Sequence, residues 1–373
     1  MKKVLFVATV VKTHLMQFHI PYLKMLKQLG WQTAVAARND YENPDDCRIP
    51  YCDEYFDLPF ARNPLHPSNL RAYLALKSII RKGGYDVIHC HTPTGAALAR
   101  LAAGSARKHG TRVLYTAHGF HFYHGAPLSY WALYYPIERL LARRTDVLFT
   151  INQEDYARAK KFPAGKVVYL PGVGIDLSAF TPSRSERARM RASLGVGEGE
   201  LLLLCVGELI PRKNHILVLD ALQLLQQRGR LGTLRCVICG DGPLAAKLLA
   251  AANARGLSGR VQFLGYRKDV NLLCQAADLF ALPSLQEGLP VAVMEAMASG
   301  LPIICSKIRG NADLIRNGEN GLIVPGTAEA FAEAIDTLQN SPALRAELAK
   351  SAVEDAKQYD IQNLLKLMRP YYG

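Results

Sequence analysis

No apolar run in this 373-residue chain approaches the roughly 18 residues that a bilayer-spanning helix needs, so an integral membrane protein is not expected. The first apolar run, Val4–Val11, is short and has no small-residue cleavage site. It reads as a first β-strand rather than a signal peptide. Zinc-finger, helix-turn-helix and RNP patterns are absent, which makes nucleic acid the weakest partner despite a formal charge of +13. Eight cysteines are scattered through apolar runs. Cys236 and Cys239 form a single C-x-x-C inside a strand-like run, without the second pair a zinc site requires. Buried free thiols are expected there, and with them a reducing cytoplasmic compartment.

The positive charge is unevenly placed. Residues 1–180 hold 23 Lys and Arg against 13 Asp and Glu, whereas the remainder holds 22 against 19. A basic N-terminal half suits an anionic partner such as a membrane surface or a phosphorylated acceptor, although a solvated basic surface gives the same count. Hydrophobic residues make up 49% and charged residues 21%, an ordinary globular balance. The length predicts two domains.

Strand-like and helical patterns alternate along the chain. Lys3–Val11, Gln32–Arg38, Asp86–His91, Arg112–His118, Val147–Asn152 and Val167–Pro171 read as one series of strands. A second series is Leu201–Leu209, Leu234–Cys239, Val261–Tyr266, Leu279–Pro283, Leu301–Ser306 and Gly321–Pro325. Most are continuous Val/Ile/Leu runs, as in strands buried on both faces. Helical patterns such as Leu15–Leu29, Ile216–Arg228 and Pro243–Arg255 lie between them. This is the pattern of an α/β protein with parallel sheets, and the Gly-, Pro- and charge-rich stretch 171–199 reads as a hinge. Two Rossmann-like domains facing a central cleft are expected: 1–180, 181–355, and a final helix over 356–373 that returns to the first domain.

Ligands of such sheets bind beyond the carboxyl ends of the strands. In the second series those ends read "GELIPRKNH", "GDGPL", "YRKDV" and "PSLQEGLP". One such loop is ordinary turn chemistry; four on one edge point to a ligand site. Pro290 suits the first turn of a helix, and Gly300 and Pro302 stop it. Free N–H groups at Gly288 and Leu289 then favour a phosphate. Glu287, just before them, is placed to accept from sugar hydroxyls. Glu295 reaches a second diol, such as a ribose. The alternative for Glu295 is a solvated helix residue, against which stand Val291, Val293, Met294, Ala296 and Met297.

The E-x7-E pair Glu287 and Glu295 in "EGLPVAVMEAMASGLPII" resembles the signature of retaining GT-B glycosyltransferases of family 4. "GELIPRKNH" and "GDGP" resemble the family's glycine loops, "LGYRKDV" its segment beside the base, and "LPGVGIDLSAF" its interdomain passage. "DVIHCHTP" and "YTAHGFHFY" resemble its N-domain strand ends. The resemblance implies that Lys213 and Arg212 bind the donor diphosphate, Glu295 the ribose and Glu287 the sugar. It places Arg267 near the base and His118 near the transferred sugar. Gly207, Glu208, Gly240, Asp241, Tyr266, Ser284, Gly288 and Leu289 complete the nucleotide-sugar set. Two departures stand out: Glu208 occupies the usual place of an arginine, and the first loop lacks a Gly-Gly pair. His14, His91, Phe120 and His121 are the acceptor-side candidates.

Cleaving a sugar–diphosphate bond builds negative charge on the leaving group, which cations and a helix N-terminus stabilise. No D-x-D motif occurs, so no metal and no cofactor are expected. His89, His91, His118, His121 and His124 show no metal spacing, and His89 and His91 read as a core pair. The aromatic, arginine-bearing stretch 119–144 suits a membrane interface as well as it suits a buried helix. Within it Tyr130, Trp131, Tyr134 and Tyr135 beside Arg139, Arg143 and Arg144 are the contact candidates. The expected activity is transfer from a UDP-sugar, with a UDP-N-acetylhexosamine in mind, to a lipid-linked saccharide at an anionic membrane face. A UDP-sugar epimerase and a non-catalytic nucleotide-sugar-binding partner are the alternatives.

Overall fold

In a computed structural model describing residues 1–373, the chain forms two compact units. The first comprises residues 1–174 and 361–373, the second 175–360. No helix is long and apolar enough to cross a membrane.

Seven parallel strands build the first unit: β1 Lys3–Val10, β2 Gln32–Arg38, β3 Glu54–Asp57, β4 Val87–His91, β5 Arg112–Ala117, β6 Val147–Thr150 and β7 Lys166–Tyr169. Their order is β3-β2-β1-β4-β5-β6-β7, so the strand order reverses between β1 and β4. The second unit holds β8 Leu202–Val206, β9 Arg235–Cys239, β10 Val261–Phe263, β11 Leu279–Leu282, β12 Ile303–Ser306 and β13 Leu322–Val324. Their order, β10-β9-β8-β11-β12-β13, reverses between β8 and β11. Each reversal leaves a crevice beyond the strand ends, where the crossovers part to opposite faces.

The continuous apolar runs are buried on both faces as their composition requires. Val4–Ala8 and Leu279–Leu282 are inaccessible to solvent. Edge strand β3, EYFD, is absent from the sequence reading because it carries a charge at either end and no β-branched residue. All eight cysteines are free; Cys236 and Cys239 are both buried.

Three segments differ from expectation. The region read as a hinge, 171–199, contains a 3₁₀ turn at Leu177–Phe180 and a helix at Arg184–Ser193. Arg187 and Arg191 of that helix bind Asp278 at 2.5 and 3.0 Å and cap the carbonyls of Ala276 and Ala277. Charge there is structural, not a sign of a linker. The unit boundaries fall at 174/175 and 360/361 rather than at 180/181 and 355/356. The Ile175 N–H donates to Tyr359 O at 2.9 Å, and the Ala179 carbonyl accepts from Asn271, so residues 175–180 fold with the second unit. Finally, Leu15–Leu29 is not one helix. A π-turn over Val11–Leu15 leads into a single turn at Met16–Phe18, and the regular helix is Ile20–Gln28.

Candidate functional site

In the second unit the loops after β8 and β9 are held together by glycine. A methyl group on Gly240 would stand 1.9 Å from the Gly207 carbonyl oxygen, and one on Gly242 2.7 Å from that of Leu209. Both have φ near +150°, which side-chain-bearing residues rarely adopt. The Gly207 N–H in turn donates to Cys239 O at 3.0 Å, and the Leu209 N–H to Asp241 O at 2.8 Å. Backbone thus packs on backbone, with no side chain between the two loops.

Over that floor lies an ionic cluster. The side chain of Glu287 is 8% exposed, so its charge must be met by protein groups. One carboxylate oxygen accepts from Lys213 Nζ at 2.6 Å and Ser284 Oγ at 2.7 Å, the other from Arg212 at 3.1 Å. Burial pushes the Glu287 carboxyl up, but Lys213, then Arg212, then the Lys213 and Ser284 hydrogen bonds outweigh it and hold it below its usual range. Lys213 keeps two of its three donors for another acceptor. The segment after β12, not singled out in the sequence, supports this cluster: a methyl on Gly310 would meet the Gly288 carbonyl at 2.6 Å. Its only sequence signal is a Gly-Asn turn pair.

The helix that follows starts one residue later than expected. Pro290 is its extended N-cap, with φ −76° and ψ 114°, and the helix proper is Val291–Ala298. The N–H groups of Gly288, Leu289 and Val291 donate to no backbone carbonyl. Glu295 lies in mid-helix between the buried Met294 and Ala296, and no protein donor reaches its carboxylate. Burial lifts its carboxyl to about 7.

The remaining expected residues spread along the same strand ends. Glu208 and Asp241 are exposed, and the Asp241 carboxylate accepts from the Gly242 N–H at 2.7 Å. Tyr266 is 61% exposed. The guanidinium of Arg267 is bound by both oxygens of Asp269, at 2.7 and 2.5 Å, which leaves its backbone rather than its charge for a ligand.

In the first unit, His14, His91 and His118 converge at the carboxyl ends of β1, β4 and β5, joined by His19. The rings of His19 and His91 are 3.7 Å apart between centroids, and those of His14 and His118 4.7 Å. Burial drives all four imidazoles well below their usual range, His118 to about 4, so they are neutral at pH 7. His89 is a separate case. It is buried with both nitrogens satisfied, by Tyr372 at 2.6 Å and Thr116 at 2.9 Å.

Phe120 does not reach an acceptor position. Its ring is 2% exposed and stacks on Phe122 at 4.7 Å, because the strand-end loop turns it into the core. His121 stacks on Tyr134 at 4.5 Å, away from the other histidines. On the helix Leu128–Ala142, Trp131 and Tyr135 pack inward against Phe122 and Phe162. The solvent-facing stripe is instead Tyr130, Leu133, Ile137 and Leu140, each at least 41% exposed.

Family models match a large part of each unit. Residues 186–355 match "Glycosyl transferases group 1" and residues 22–172 match "Glycosyl transferase 4-like domain". EpsD of Bacillus subtilis (strain 168), provisionally named as a glycosyltransferase, is 40% identical over all of this chain and 96% of its own length. An Escherichia coli UDP-Gal:α-D-GlcNAc-diphosphoundecaprenol α-1,3-galactosyltransferase is 30% identical over 72% of this chain and 70% of its own. Among solved structures, HepE of Anabaena, determined with UDP-glucose, superposes with a TM-score of 0.81 at 20% identity over 100% of this chain and 99% of its own. The likeness extends over both parallel-sheet units, the GT-B architecture.

Proposed function

Since the chain belongs to the group 1 glycosyl transferases and is related to enzymes of polysaccharide biosynthesis, we propose that it transfers a sugar from a UDP-sugar, a UDP-N-acetylhexosamine in the first instance, to a lipid-linked saccharide with retention of anomeric configuration. The observation that carries this reading is the cluster of Lys213, Arg212 and Ser284 around Glu287, beside unbonded N–H groups at Gly288 and Leu289 and an unpaired Glu295. Lys213, Arg212 and the helix N-terminus stabilise the charge that grows on the departing diphosphate. That is a task for fixed dipoles and cations, which need not reorganise during reaction. No metal is required at the diphosphate. Glu287, kept ionised by its neighbours, orients the sugar hydroxyls; Glu295 binds the ribose diol. Gly207, Gly240 and Gly242 admit the phosphates close to the backbone, and the segment at Tyr266–Arg267 meets the base.

Retention fits a displacement in which the leaving phosphate takes the proton of the acceptor hydroxyl from the same face. The first unit binds the acceptor, with His118 assigned to the transferred sugar. The exposed stripe Tyr130, Leu133, Ile137 and Leu140, next to Arg139, Arg143 and Arg144, suits a cytoplasmic membrane face bearing anionic lipid. The test is incubation with a panel of nucleotide sugars, with and without polyprenyl-diphosphate saccharides. Release of UDP only when acceptor is present is expected, with the new linkage retained by NMR. A changed sugar without acceptor would replace transfer by epimerisation, and inversion would remove the mechanism.

A further inference from the structure

We propose that His14, His19, His91 and His118 form a binding site for one divalent transition-metal ion of the zinc type. The four come from separate places: two from the broken helix after β1, one from the end of β4, one from just past β5. Each brings one ring nitrogen into a group whose members all lie within 4.8 Å of one another. A tetrahedral ion with metal–nitrogen bonds of about 2.0–2.1 Å sets its ligand nitrogens about 3.3–3.4 Å apart. His14 Nε2 and His19 Nε2 are 3.2 Å apart, and His118 Nε2 and His91 Nδ1 are 3.5 Å apart. Two edges of such a tetrahedron are therefore already at their required length.

The hydrogen bonding of these rings points the same way. A buried imidazole that serves packing finds hydroxyls or carbonyls for both nitrogens, as His89 does on the same strand. The four clustered rings instead meet one another, nitrogen to nitrogen, and His19 Nδ1 and His91 Nε2 are buried without any partner. These two nitrogens face away from the paired edges; the ion takes His19 Nε2 and His91 Nδ1, which meet only other imidazole nitrogens. A small cavity, about 10 Å³ and bordered by Tyr22, Thr116 and Leu170, adjoins His19, His91 and His118, enough for one ion or one water.

The donor set also selects the ion. Four imidazoles and no carboxylate suit zinc, cobalt, nickel or copper and reject magnesium and calcium, which take oxygen ligands. With all four positions filled by protein the ion is closed to substrate, so its role is to fix the loops rather than to activate water. The sequence conceals the site because His14 and His19 lie five residues apart. On a regular α-helix they would point about 140° apart; the π-turn over Val11–Leu15 changes that relation. Arg62 lies near enough to His14 to act on its charge, and it opposes an added cation. The proposal is independent of the diphosphate, ribose and base contacts, whose residues belong to the second unit, and it replaces the assignment of His118 to the transferred sugar.

The test uses the full chain without a polyhistidine tag, stripped by chelator and titrated with Co²⁺, then Zn²⁺. One equivalent of cobalt is expected, with the intense visible bands of tetrahedral coordination and no sulfur-to-cobalt charge transfer. Zinc should displace it and raise Tm by several degrees. His14→Asn and His118→Asn, both at half-buried positions, should each weaken cobalt binding by about 100-fold or more, beyond the 10–100-fold cost of losing an outer-shell partner. Retained binding of UDP, which carries no sugar for His118 to meet, shows that the second unit is intact in the variants, and unchanged cooperative unfolding speaks for the first. Should either variant fail to fold, X-ray absorption of the zinc-loaded wild type decides: four nitrogen neighbours with imidazole scattering are expected. No stoichiometric uptake, weak octahedral bands, sulfur in the coordination shell, or uptake unaltered in folded variants would each overturn the site.

Discussion

Glu295 gives the sharpest test of the donor site. Burial among apolar side chains, with no donor in reach, pushes its carboxyl up from 4.5 to about 7. Such a displacement amounts to about 3 kcal/mol of folding free energy. The folded pKa lies above the unfolded one, so this stability is fully present below pH 4.5 and is lost as pH rises through about 7. A ribose diol supplies the two hydrogen bonds that the ionised carboxylate lacks. Donor binding should therefore release a proton. If the donor binds only the ionised form, affinity tightens about tenfold between pH 6 and pH 8. Glu295→Gln should abolish that slope. It should also weaken binding at pH 8 by about 10- to 100-fold, the value of a hydrogen bond to a charged group, while turnover at saturating donor changes little. In the absence of ligand the variant should be more heat-stable than wild type at pH 8, the gap closing toward pH 5. Calorimetric titration with UDP-N-acetylglucosamine in two buffers of different ionisation enthalpy counts the proton directly. The intact nucleotide sugar is the right probe, because its diphosphate does not titrate in this range. Equal wild-type affinity at pH 6 and pH 8, or the same slope in the variant, would refute the ribose role.

Three further outcomes are expected. Lys213→Ala should lower turnover by about 10²–10³; because Lys213 also holds Glu287 at 2.6 Å, the double variant with Glu287→Gln should lose much less than the two separate losses combined. Near-normal turnover in Lys213→Ala would remove that residue from the site. Arg100 is fully buried, paired with Glu138 at 2.9 Å and 4.2 Å from the centre of the Tyr115 ring, so Arg100→Met alone should cost about 3–5 kcal/mol in denaturant unfolding, and adding Glu138→Leu should recover part of it. Binding to anionic vesicles should weaken with salt, and Arg143→Glu with Arg144→Glu should reduce it, as should Leu133→Asp with Ile137→Asp on the exposed stripe; equal binding to neutral vesicles at every salt concentration would contradict the electrostatic part.

What the sequence determined by itself is whatever depends on local pattern. Continuous Val/Ile/Leu runs can only be strands covered on both faces, so twelve of the thirteen strands are readable, most to within two or three residues at each end. The glycines at 207, 240 and 242 and the pair Glu287 and Glu295 are legible because their spacing in the chain is the spacing of a loop and a helix. Tertiary structure decided the rest. Edge strand β3 pairs with β2 without an apolar run of its own, since an edge buries little. The charge run at 184–191 became a packed helix because Asp278 and the carbonyls near it, some 90 residues away, accept from its arginines. The cations that pair with Glu287 come from a loop more than 70 residues upstream, so whether its buried charge is met cannot be read locally. The four-histidine cluster is the extreme case: residues 14, 19, 91 and 118 share no motif. Only parallel strands whose carboxyl ends share one edge, together with a π-turn that breaks the first helix, bring their nitrogens within reach of one another.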